Sequence, residues 1–146
     1  MRHVAENIGD GPWVDAFPGG LGVLIPVRDA DGTVRLASAG SDHTIRIWDL
    51  REGTTVGEPI VGHDTAVWAL TSWIDAGGRL RLASSAEDQA IRIWDPDTGE
   101  EIGAPLLGHA GWVSTLANWH TEAGDRLASG GFDGTIRIWD PVTAAM

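Results

Sequence analysis

The stretches LASAGSDHTIRIWD (36–49), LASSAEDQAIRIWD (82–95) and LASGGFDGTIRIWD (127–140) are copies of one unit, spaced 46 and 45 residues apart. In each copy two short apolar runs flank a turn rich in Gly, Ser and Asp, the pattern of a tight β-hairpin. The Ile-Arg-Ile alternation has the period of two that a strand requires. The repeat therefore sets the fold, and the rest of the chain is read outward from it.

Upstream of each copy lies another apolar run, at Val23–Val27, Val67–Trp73 and Val113–Trp119. Turns such as DADGT (29–33) and DAGGR (75–79) separate these runs from the repeat. Downstream, TVGEPIVGH (55–63) and EIGAPLLGH (101–109) supply a further short strand ending in Gly-His. Each unit thus reads as four strands, and no segment has helical periodicity. The expectation is an all-β chain.

Composition narrows the function classes. The net charge is −11 and no basic patch is visible, which argues against nucleic acid as a partner. Cysteine is absent, so thiolate metal sites and disulfides are excluded. With no lysine there is no P-loop. The five histidines lack ligand spacing, and DADG (29–32) reads as a hairpin turn, since Gly40 stands where a calcium loop needs Glu. No cofactor or metal is expected. No apolar run suggests a signal peptide or a membrane span, so a cytoplasmic location without membrane contact is expected.

A period near 45, four strands per unit, and Gly-His preceding Trp-Asp resemble the WD-repeat β-propeller family from about Gly11 to Asp140. The resemblance implies one domain (1–146) of three blades, each of four antiparallel strands. An outer strand at about 8–16 would be followed by units at about 17–62, 63–108 and 109–140.

The second unit contains His63, Ser84 and Asp88, and the third contains His109, Ser129 and Asp133. These residue types suit nucleophilic catalysis. Yet there is no G-x-S-x-G elbow, and each set recurs with a Trp (Trp94, Trp139) at the period of the scaffold. The resemblance implies instead a buried structural tetrad in each blade, and a chain that is not an enzyme. The first unit keeps Ser38, Asp42 and Trp48 but has Phe17 in place of the His. Either His43 compensates, or this blade is the loosest.

By the same resemblance, partners bind at a face that includes Asp64, Thr65, Glu87, Trp112 and Phe132. Trp112 could instead pack on a neighbouring blade and Phe132 fill its turn. Trp68, of opposite strand parity, is expected in the channel or the core, and Trp73 and Trp119 in the core. Propellers close with four to eight blades, so three do not make a ring. The leading expectation is a protein-interaction scaffold in which two copies form a six-bladed homodimer. The N-terminal strand of each would complete the third blade of the other. The alternative is a fragment, or the detached sensor tail, of a larger WD-repeat signalling protein with a NACHT-type NTPase, kinase or caspase-like domain.

Overall fold

Alternation along Ile-Arg-Ile-Trp sends the isoleucines to one side of a strand and the Trp to the other, so each sheet has two apolar faces to bury. The computed structural model describes residues 21–144 and shows how they are buried. The expected outer strand at 8–16 and Phe17 lie outside the described residues.

The chain forms three antiparallel sheets in succession. The first runs β1 (Leu21–Arg28), β2 (Val34–Gly40) and β3 (Thr44–Asp49), with an outer edge in two pieces, β4 (Thr54–Thr55) and β5 (Ile60–Val61). The second runs β6 (Val67–Ile74), β7 (Leu80–Ala86), β8 (Ile91–Asp95) and β9 (Glu100–Glu101), and Leu106 bridges back to Ile91. The third is β10 (Val113–Thr121), β11 (Gly124–Gly131) and β12 (Ile136–Trp139), with no fourth strand among the described residues. The outer strands break where a left-handed glycine (Gly57, Gly103, each with φ 72°) is followed two residues later by proline, which has no N–H for the ladder.

The three sheets stack through their faces, β1 beside β6 and β6 beside β10. Ile45, Ile47 and Ile60 on the leading face of the first sheet pack with Leu70, Leu82 and Trp94 on the trailing face of the second. Ile91, Ile93 and Leu106 pack in the same way with Leu127 and Trp139 of the third. Asn118 ties the inner strands further, its Nδ2 donating to Thr71 Oγ1 and to the Ser72 carbonyl.

Among the described residues the stack ends at both sides. Ile45 and Ile91 are buried, but Ile136, at the same register, is 80% exposed; Ile47 and Ile93 are buried, but Ile138 is 52% exposed. Leu24, on the trailing face of the first sheet, is 51% exposed, whereas Leu70 at its position in the second is buried. Trp119 departs from the expected core position for this reason: it lies on the bare leading face, while Trp73 at the same register packs between the second and third sheets.

Truncating a buried leading-face isoleucine removes contacts that the same truncation at the end of the stack does not. Ile91→Ala is expected to lower unfolding free energy by about 2–5 kcal/mol in urea titration. Ile136→Ala, in protein dilute enough to be monomeric, is expected to change it by less than about 0.5 kcal/mol.

Candidate functional site

Two clusters carry the polar and aromatic chemistry of the molecule: a network inside each sheet and a row of rings on the surface.

The network is complete in the second and third sheets. The Trp94 indole N–H donates to Ser84 Oγ over 2.8 Å, Ser84 Oγ meets His63 Nε2 at 2.6 Å, and His63 Nδ1 meets Asp88 Oδ2 at 2.9 Å. One tautomer satisfies every group: Nδ1–H donates to the carboxylate, and Nε2 accepts from the serine hydroxyl. In the third sheet the corresponding distances are 2.8 Å for Trp139 to Ser129, 2.7 Å for Ser129 to His109 and 3.0 Å for His109 to Asp133. Ser84, Ser129, His63 and His109 are all buried. The glycine before the histidine is required, because a Cβ on Gly62 would collide with the Trp94 indole.

Burial of Asp88 opposes ionisation, but the hydrogen bond and electrostatic attraction of the His63 ring, with the Ala90 and Asp64 N–H groups, outweigh it and hold its pKa below 3.8. Asp133 is held lower still, first by the Ala110 N–H, then by Thr135 and His109.

The first sheet has half of this network. Trp48 Nε1 donates to Ser38 Oγ at 2.7 Å, and among the described residues no imidazole follows. Asp42 instead forms an ion pair with Arg46 at 3.2 Å and accepts from the Thr44 hydroxyl at 2.8 Å. His43 does not compensate. It is exposed and occupies the left-handed turn position (φ 71°), as Gln89 and Gly134 do in the other hairpins, and this turns its side chain away from Ser38.

The surface row is made by Trp68, Trp112 and Phe132, all exposed. Trp68 and Trp112 stack with centroids 6.0 Å apart and planes 20° apart; Trp112 and Phe132 stack at 5.5 Å and 23°. The Trp68 indole N–H donates to Glu87 Oε2 at 2.9 Å, and the Phe132 backbone N–H donates to the Trp112 carbonyl at 2.8 Å. Trp112 therefore both packs on the neighbouring blade and stays at the surface.

Trp68 is neither in a channel nor in the core, contrary to strand parity. The register of β6 with β7 shifts between Val67 and Ala69, so Trp68 is the extra residue of a β-bulge, and the bulge re-aims it onto the face. The same shift occurs at Gly22 and Ser114 in the other inner strands. Alternation alone could not reveal it, because a bulge breaks the period from which parity is counted. Among the other face residues Asp64 is exposed, while the Thr65 hydroxyl is closed off from solvent without a partner. Among the described residues no group of three or more His, Asp or Glu could hold a metal ion.

Two outcomes follow from the network. Ser84→Ala and Ser129→Ala, which strand a buried imidazole and an indole N–H, are each expected to cost roughly 1–3 kcal/mol. Ser38→Ala, which strands only an indole, is expected to cost less in the same denaturant titration. Because Asp88 and Asp133 have lowered pKa values when folded, their stabilisation is present above the ordinary carboxylate value and is lost as pH falls through the folded one. Melting temperature measured against pH is therefore expected to fall below about pH 4, and to fall less steeply in Asp88→Asn.

Comparison with known proteins gives one family. The family model for the WD domain, G-beta repeat, matches residues 27–49, 53–95 and 100–140. No curated protein matches the chain. WD-repeat proteins are generally non-catalytic scaffolds for protein interaction. Three in-phase matches over most of the chain, on three successive antiparallel sheets with the Trp-Ser-His-Asp network complete in two of them, show that this protein belongs to the WD-repeat family.

Proposed function

We propose that this chain is a non-catalytic interaction scaffold, and that two copies close head to tail into a six-bladed ring whose aromatic face receives a protein partner. The observation that carries the ring is the contrast along one register: Ile45 and Ile91 are buried by the next sheet, and Ile136 is 80% exposed. Ile138 and Leu24 repeat the contrast at the two bare ends. Those ends are complementary in kind, since each is half of a joint that the chain makes twice internally. Two copies facing opposite ways around one axis would bury both ends in two identical seams, a closed twofold assembly.

The reading as a non-enzyme rests on the serines. Ser84 and Ser129 are buried, each already accepts a Trp N–H, and the arrangement recurs with the blade period. Such hydroxyls are engaged as structural links rather than presented to a substrate.

Mass determination by light scattering is expected to give twice the chain mass for the wild type. Ile136→Arg, which places a charge on the seam, is expected to give a monomer with its second-blade network intact. A stable, monodisperse wild-type monomer overturns the ring. For the face, Trp112→Ala is expected to abolish capture of a partner, identified by mass spectrometry, without lowering the melting temperature by more than about 3 °C. A partner captured equally by wild type and Trp112→Ala overturns the interaction reading of this face.

A further inference from the structure

We infer that the row of Trp68, Trp112 and Phe132, with Glu87 at its end, receives an extended partner segment carrying arginine. The inference rests on the interaction reading of this face and specifies what that face recognises.

The row is an unfinished stack. Its three rings lie nearly parallel, and Phe132, the last of them, is 70% exposed. The group that continues such a stack is flat and has weakly hydrated faces. At the opposite end the Glu87 carboxylate holds the Trp68 indole with one oxygen. Neither Glu87 nor Asp64, four residues before Trp68, takes part in an ion pair among the described residues. Elsewhere arginines neutralise Asp29, Asp42, Asp75, Asp95 and Glu101. The aromatic row thus ends on a carboxylate that no arginine neutralises among the described residues, on a chain of net charge −11.

A guanidinium meets both demands. It is planar, stacks on ring faces, and is permanently cationic. An ammonium brings the charge without the plane, and an aromatic side chain brings the plane without the charge. The row also sets a spacing. Its two centroid steps are 6.0 and 5.5 Å, so its ends lie no further apart than the sum of the two. In an extended segment, residues four apart lie on one side of the chain and about 13 Å from each other. Arginines at i and i+4 would therefore reach Phe132 and Glu87 together. The receiving rings are already ordered: Trp112 is held between its neighbours, and Trp68 is fixed by its bulge and by Glu87. Less side-chain freedom is then lost on binding.

The test uses the full chain and three probe peptides: Ac-Arg-Gly-Ser-Gly-Arg-NH2 and its counterparts with lysine or with citrulline at both ends. Indole N–H resonances, assigned by single Trp→Phe variants, report where binding occurs. The arginine peptide is expected to shift Trp68 and Trp112 saturably, with Trp94 and Trp139 unmoved. The lysine peptide is expected to bind about fivefold more weakly, and the citrulline peptide more weakly again. Glu87→Gln, which keeps an acceptor for Trp68 but removes the charge, is expected to weaken the arginine peptide about fivefold and to reduce its salt dependence. Absence of saturable shifts at Trp68 and Trp112 overturns the inference. So does equal binding of the arginine and citrulline peptides, unaffected by Glu87→Gln. That second result would still place a peptide on the face, so the interaction reading would survive it. The interaction reading fails separately, by partner capture that does not depend on Trp112.

Discussion

A β-sheet with apolar side chains on both faces cannot stand alone in water, and most of this structure follows from that requirement. The isoleucines of the repeat and the leucines and Trp beside them point to opposite faces, so each sheet must be sandwiched. Among the described residues only the second sheet has a neighbour on both sides. Leu24 in the first sheet and Ile136 and Ile138 in the third, at the registers of buried residues of the second, are exposed. Burial of each such side chain is worth roughly 1.5–3 kcal/mol. An uncovered row of isoleucines on β12 is thus a strong demand for a covering surface.

The buried polar network answers a different problem. Apolar stacking fixes the distance between faces but leaves strands free to slip, and a slip of one residue would exchange the two faces. A serine on the second strand, a Trp on the third and a histidine from the preceding loop can all be satisfied in one register only. The first sheet keeps the serine and the Trp, and its aspartate turns to Arg46. Trp48 is correspondingly less deeply enclosed than Trp94 or Trp139.

Much of this was legible in the amino-acid sequence because the repeats are in phase. Three copies of one pattern reveal the strands, the hairpins and the members of the network, since a coincidence of residue types does not recur at 45 residues. Exceptions to the pattern were less legible. That His43 would occupy the left-handed turn position depends on backbone dihedral angles, which the residue name does not reveal. Trp119 was assigned by analogy with Trp73, and the analogy fails where there is no next sheet to bury it. Trp68 was misplaced by strand parity, because parity presumes an unbroken ladder. The Trp68–Trp112–Phe132 row joins two sheets across 64 residues of sequence, and only the stacking of those sheets brings it together.

The bulges in the three inner strands have a consequence for how such a molecule can change. Gly22, Trp68 and Ser114 occupy the same irregular position, and the ladder resumes after each of them in the same register. In the second and third sheets one backbone geometry therefore carries the largest side chain of all or a small polar one, with the flanking pairs undisturbed, whereas at Gly22 a Cβ would lie 2.9 Å from the Val67 carbonyl oxygen. In those two sheets the bulge works as an interchangeable socket. Substitution there rewrites what the molecule displays while the buried layers beneath keep their composition, so that recognition can drift without a matching loss of foldedness.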